Sequence, residues 1–317
     1  MIRTQGLTKK YDGFRAVDNL NLEVKEGEIY GFLGPNGAGK TTTILMLLGI
    51  LKPTKGKIYL FGQDLGKDFL SIKRKMGVVS EKQYLYKEMS AGEYLNFFAD
   101  LYGVKNSKKK IDGLLEKLDL LEVKNRKLGA FSRGMQQKLG FARALLHDPQ
   151  LLLLDEPVSG LDPTGIKQIR DLIEEENKKG RTIFISSHLL SEVEKLCGKI
   201  GILNKGKLLA EDSMDNLKRR LTDVVELEIE LSQTKKEIVD TLSAFDFIKG
   251  IKKEGNLLIA QVKTDKDYRA QISETISQQG GVVLGIKTKE MSLEEAFITI
   301  TEKNISLLAE EGKESAE

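Results

Sequence analysis

Gly34-Pro35-Asn36-Gly37-Ala38-Gly39-Lys40-Thr41 fits the phosphate-binding pattern G-x-x-x-x-G-K-[ST]. The glycines at 34, 37 and 39 let the backbone curl tightly, so that its N–H groups converge on one point. That point lies at the positive end of a helix predicted to begin near Lys40, a setting that holds a polyphosphate. Lys40 offers a point charge to the β- and γ-phosphates. The Thr41 hydroxyl suits Mg²⁺, and Thr42 is placed for a further phosphate contact. The plain alternative is a chance glycine-rich turn. It does not call for the apolar run Ile29–Leu33 before the loop, nor for the helical run Thr43–Leu48 after it.

A second chemical group stands at Asp155-Glu156, directly after the apolar run Leu151–Leu154. Burying an unpaired carboxylate is costly, so two acids at the end of a core strand want a cation or a proton to handle. In open α/β sheets that strand edge is also where ligands bind. Asp155 suits a Mg²⁺ ion, and Glu156 suits polarising a water for attack on a γ-phosphate. Solvated acids on a surface strand end are the bland alternative, and the phosphate loop upstream weighs against it.

The elements that must position these groups can be read from residues 1 to about 220. Short apolar runs at 29–33, 151–154 and 182–186 suit buried parallel strands. Helical stretches at 91–102, 107–118 and 136–146 lie between them, implying a mostly parallel sheet with helices packed on it. After Arg220 the texture changes. Val225, Leu227, Ile229 and Leu231 alternate with glutamates; a helix follows through Ile238, Leu242 and Phe245, then a strand over 256–262. A helix through Tyr268, Ile272 and Ile276, a strand over 282–288 and a capping box at Ser292–Glu295 complete a β-α-β-α-β-α module. The expected organisation is therefore 1–220, an accessory module at 221–303 and a polar tail at 304–317.

With these residues in view, the chain resembles the ATP-binding subunits of ABC transporters. Phe131-Ser132-Arg133-Gly134-Met135-Gln136-Gln137 resembles the family's LSGGQ signature, with Ser132 standing 23 residues before Asp155. Ser159-Gly-Leu-Asp162 resembles the D-loop, and Ser187-His188 the switch histidine. The resemblance spans residues 2 to about 217 and is strongest to the ABC-2 export group of drug, antibiotic-resistance and sodium exporters. It implies an α/β P-loop NTPase cassette: a mostly parallel core, an antiparallel β lobe and a helical signature subdomain over about 88–148. It further implies Mg²⁺-dependent ATP hydrolysis in a head-to-tail dimer, with each ATP sealed by the partner's signature residues 132–136.

Several site roles follow from the same resemblance. Tyr11 is expected to stack on adenine, with Phe14 as the competitor. His188 is expected to sense the γ-phosphate, as a neutral imidazole donating one hydrogen bond and accepting another. The sequence departs from the family at Arg133 and Met135 in the signature, and in the Q-loop, where Glu81 replaces the usual glutamine and Gln83 follows two residues later. Either of the two is open as the acting residue. The helix that follows, 89–101, is expected to receive a permease's coupling helix. His147, before Asp148-Pro149, reads as a partner for a helix C-terminal dipole.

Composition bounds the rest. Fifty basic and 47 acidic residues leave a net charge of +3, which gives no reason to expect nucleic acid as a partner. A single cysteine, Cys197, excludes an internal disulfide and a thiolate metal cluster and fits a reducing cytosol. The N-terminal segment lacks the apolar core of a signal peptide, and no apolar run reaches the length of a membrane span. The expected place is the cytoplasmic face of the membrane, reached through an ABC-2 type permease, with a second ATPase subunit, identical or different. A soluble ABC ATPase with a regulatory role is the alternative. A ribosome-acting relative would carry two cassettes on one chain. A chromosome-structure relative would need far more than the roughly 90 residues between Lys40 and Ser132 to hold its coiled coil.

Overall fold

The computed structural model describes residues 1–213, 215–217, 224–289, 293–295, 297, 298 and 300. The chain divides into two compact units, Met1–Met214 and Asp215–Glu317. The change of texture after Arg220 falls among residues 218–223, outside the described set. So do Ser292 of the expected capping box and the tail at 304–317.

The first unit holds two sheets. β1 (Ile2–Tyr11), β2 (Phe14–Val24), β4 (Lys55–Leu60) and β5 (Gln63–Asp64) form an antiparallel sheet in the order β2-β1-β4-β5. The second sheet comprises β3 (Ile29–Leu33), β6 (Met76–Val79), β7 (Leu151–Asp155), β8 (Thr182–Ser187), β9 (Lys199–Asn204) and β10 (Lys207–Ser213). Its order is β10-β9-β3-β8-β7-β6, parallel except for the β9–β10 pair. Every residue of β7 is buried. A strand covered on both faces reads as an unbroken apolar run, as Leu151–Leu154 does. Leu20, Leu22, Ile58 and Leu60 from the antiparallel sheet share one core with Phe32, Leu151, Leu153 and Phe184 from the parallel one.

Helix α1 (Lys40–Leu47) follows β3, and α2 (Phe69–Lys73) precedes β6. α3 (Ala91–Tyr102), α4 (Ser107–Lys117) and α5 (Arg133–Leu145) lie between β6 and β7. α6 (Pro163–Lys178) and α7 (Leu190–Leu196) flank β8. Ser90 and Glu93 form a reciprocal capping box at the start of α3, and Ser132 caps α5, accepting from the Met135 N–H at 3.2 Å. The signature helix therefore starts three residues earlier than the apolar spacing predicts, because the cap rather than the first apolar residue sets its origin.

The second unit is a four-stranded antiparallel sheet in the order β12-β13-β11-β14, from β11 (Val224–Leu231), β12 (Ile248–Glu254), β13 (Leu257–Lys263) and β14 (Val283–Lys289). Helices α8 (Lys236–Ser243) and α9 (Arg269–Gln278) supply Ile238, Leu242, Ile272 and Ile276 to its core, against Leu227, Ile229 and Leu231. The strands and helices to β14 run β-α-β-β-α-β, which corrects the expected single strand between the two helices to a hairpin, and the described residues beyond, 293–295, 297, 298 and 300, are helical as expected. β12 escaped because it is a border strand carrying Lys249, Lys252, Lys253 and Glu254. Its register also shifts between Ile248 and Gly250, so no clean period-2 apolar signal survives. Phe245 lies just beyond α8 rather than on it, stacked on Phe247.

His147 also differs from expectation. Its Nε2 meets the Met76 carbonyl at 2.9 Å and its ring stacks on Tyr102 with centroids 4.0 Å apart. Burial holds its pKa below the usual imidazole value. The ring packs on Tyr102 and bonds β6 rather than the last carbonyls of α5.

Candidate functional site

The strand order places the chemistry. β3 lies between β9 and β8, and β8 lies beside β7, with Leu33 opposite Ser187 and Ser186 opposite Asp155. The loop after β3, the Asp155-Glu156 pair after β7 and His188 after β8 therefore emerge side by side at the C-terminal edge of the parallel sheet. They open on a cavity of about 410 Å³ lined by residues 36–42, Tyr11, Phe14, Ala16, Glu81, Glu156 and His188.

Within the loop, Gly39 has φ +108, and a side chain there would drive its Cβ into the Ala16 carbonyl oxygen. Gly39→Ala is expected to destabilise the first unit by about 1–3 kcal/mol and to abolish nucleotide binding, read by thermal melting and a fluorescent ATP analogue. Lys40 is buried. Its Nζ donates to the Gly34 carbonyl at 2.6 Å and the Pro35 carbonyl at 3.3 Å, and lies 3.9 Å from Glu156 Oε1. Gly34 and Pro35 thus serve as the lysine's resting partners, while Asn36 to Thr42 face the cavity.

Three carboxylates surround this one ammonium. Burial lowers the Lys40 pKa, against the opposing pull of Glu156, Asp155 and Glu81. Burial raises the Asp155 pKa; hydrogen bonds from Ser186 and Thr41 oppose that, and the charges of Glu156 and Glu81 add to it. Such an excess of negative charge in a buried cleft favours a cation. The Thr41 hydroxyl beside the Asp155 carboxylate is a hard-oxygen pair that fits Mg²⁺, which takes one or two carboxylates plus phosphate oxygens. Among the described residues no group of three or more His, Cys, Asp or Glu could hold a metal ion.

Glu156 has φ +49, a left-handed backbone for a non-glycine residue. Its N–H donates to the Ser186 carbonyl at 3.0 Å, and its Oε2 accepts from His188 Nδ1 at 2.8 Å. Because a carboxylate only accepts, His188 carries its proton on Nδ1, leaving Nε2 of the neutral ring an acceptor. A donated bond from Nε2 to a γ-phosphate would require the protonated ring, a refinement of the role expected for this histidine.

The other expected residues separate into groups. Tyr11 and Phe14 both line the cavity, 45% and 62% exposed, and Lys9 Nζ sits 5.1 Å over the Tyr11 ring. Of the two Q-loop candidates Glu81 reaches the cavity; Gln83 turns away towards α5. Ser132, Arg133, Gly134, Met135 and Gln136 do not line it. Ser132 and Arg133 are exposed, and Arg133 Nη2 donates to Ser159 Oγ at 2.8 Å, tying the signature to its own D-loop. Asp162 caps α6, accepting from the Gly165 N–H. Next to α3, Tyr86 meets Phe97 edge-on, both exposed. One contributor went unread in the sequence, Ser186, whose hydroxyl bonds the Asp155 carboxylate. The one signal for Ser186 is the pair of hydroxyls ending an otherwise apolar strand.

Residues 17–159 match the family described as ABC transporter. The chain is 43% identical over 302 residues to the bacitracin transport ATP-binding protein BcrA of Bacillus licheniformis, covering 95% of this chain and 97% of that protein. It is 40% identical over 215 residues to the lantibiotic transport ATP-binding protein SrtF of Streptococcus pyogenes, covering 68% of this chain and 92% of that one. Among solved structures, the dimeric post-hydrolysis state of the ATP-binding cassette MJ0796 with ADP and Pi aligns with a TM-score of 0.63 and 26% identity, over 68% of this chain and 99% of that one.

Proposed function

This chain belongs to the ABC transporter family as an ATP-binding, ATP-hydrolysing subunit, and from that premise we propose that it powers export of a peptide antibiotic through a separate ABC-2 type permease. The near full-length similarity to a bacitracin transport protein supports the substrate class. No helix among the described residues is long and apolar enough to cross a membrane. In this reading the translocation path belongs to a partner, as the names of the transport relatives suggest, and the partner holds this chain at the cytoplasmic face. The exposed aromatics around α3 are our candidate dock for that partner.

The observation that carries the catalytic reading is the convergence of Lys40, Glu156 and His188 on one cavity, with Asp155 bonded behind Thr41 and Ser186, through the register of β3, β8 and β7. Residues 36–42 cradle the triphosphate, and Tyr11 stacks on the base. Thr41 and Asp155 would hold Mg²⁺, and the ion would supply positive charge against the phosphates. Glu156, oriented by His188, takes the proton of the attacking water. Ser132 to Gln136 act on the nucleotide of a second copy, through the start of α5, where a helix N-terminus favours phosphate.

The deciding experiment is recovery of the tagged chain from detergent-solubilised membranes. One or two polytopic membrane proteins are expected to come with it. Recovery only from the unbound fraction, with no such companion, would overturn the transport reading and leave a free-standing ATPase.

A further inference from the structure

Gln137 lies four residues into the signature helix, 2% exposed, and is used by nothing described so far. Its Nε2 donates to the Pro157 carbonyl at 3.0 Å. Pro157 follows Glu156, whose left-handed backbone would relax unless its surroundings held it. Two backbone bonds restrain that turn, from the Glu156 N–H to Ser186 and from the Ser159 N–H to the Glu156 carbonyl. The Gln137 carboxamide is the side-chain clamp on the same turn.

The other end of that carboxamide faces the Q-loop. Gln83 Nε2 donates to the Ser80 carbonyl at 2.7 Å and lies 3.4 Å from Gln137 Oε1. Gln83 Oε1 is buried with no hydrogen-bond partner among the described residues. Space for it is made by Gly140 in the middle of α5: a Cβ on Gly140 would stand 2.7 Å from the Gln83 amide. Glycine inside a helix costs roughly 0.5–1 kcal/mol relative to alanine, and the Gln83 amide accounts for its presence here.

We propose that Gln137 is a positioning residue for Glu156, and that Gln83, inserted against Gly140, makes this clamp respond to where residues 80–83 stand. The Q-loop candidate facing away from the nucleotide thereby acquires a role of its own. A shift of the loop that withdraws Gln83 frees the Gln137 carboxamide and loosens the turn that aims Glu156. The proposal rests on Glu156 acting on the attacking water.

It is tested by steady-state MgATP hydrolysis of the full chain, with kcat and KM separated and folding checked by melting. Gln137→Leu is expected to lower kcat by about 10- to 100-fold, the scale of a small misplacement of a reacting group, with KM within about twofold because the phosphate loop is untouched. Gly140→Ala is expected to lower kcat with Gln83 present, yet to add nothing in a Gln83→Ala background, where the cavity accepts the methyl group. A folded Gln137→Leu chain with the parental kcat overturns the proposal. If Gln137→Leu fails to fold, the Gly140→Ala cycle decides alone: an equal effect of Gly140→Ala with and without Gln83 also overturns it. A parental chain with no ATPase activity would instead refute the catalytic reading itself.

Discussion

Glu156→Gln is expected to slow MgATP hydrolysis by about 10²- to 10⁴-fold, the range for loss of a general base, while ATP binding stays within a few-fold of the parent. Geometry sets both halves of this outcome. The amide keeps an oxygen able to accept from His188 Nδ1, now 2.8 Å from the carboxylate, so the turn and the cavity persist. What disappears is the basic lone pair that receives the water's proton. A cycle stopped before cleavage should accumulate the closed state, in which Ser132 to Gln136 of each copy cover the nucleotide of the other. Light scattering is expected to show dimers of this variant with MgATP and monomers without it. Parental turnover would remove Glu156 from the chemistry; a monomer under both conditions would remove the two-copy site.

Lys40→Ala is expected to weaken ATP binding by about 10- to 150-fold, since charged hydrogen bonds to phosphate contribute about 1.5–3 kcal/mol each. Turnover should fall with it. In the structure the lysine is held in reserve, its Nζ on the Gly34 and Pro35 carbonyls and within 3.9 Å of Glu156. It is the one lysine or arginine lining the cavity among the described residues, facing Glu81 and Glu156, with Asp155 close behind. Its removal leaves those acids to repel an incoming triphosphate. Titration calorimetry with ATP checks this, and parental affinity in the variant would mean that the backbone cradle alone binds the phosphates.

The residues gathered at the edge of the parallel sheet were legible because their pattern is local. A phosphate loop needs glycines, a lysine and a hydroxyl at fixed offsets between a strand and a helix, and an apolar strand ending in Asp155-Glu156 announces its own depth. The parallel sheet followed from continuous apolar runs. What escaped was set by tertiary packing. Nothing in the spacing of Glu81 and Gln83 says which one lines the cavity, since a loop residue's direction depends on what it packs against, here the bare Gly140 of α5. Gln137 looked like one more polar residue of a signature, and its burial under Pro157 is a long-range contact. His147 looked like a partner for a helix end, whereas Tyr102 and the Met76 carbonyl are what hold it. The β12–β13 hairpin was missed where charge overrode alternation.

The charge on β12 also protects the molecule. An unpaired outer strand offers free backbone groups to any neighbouring chain, the seed of fibrous association. Along β12 an intruding strand would meet Lys249, Lys252 and Lys253, and aligning with a second copy of itself would set like charges against one another. The residues that hid this strand from pattern reading are thus its guard against being zipped onto from outside.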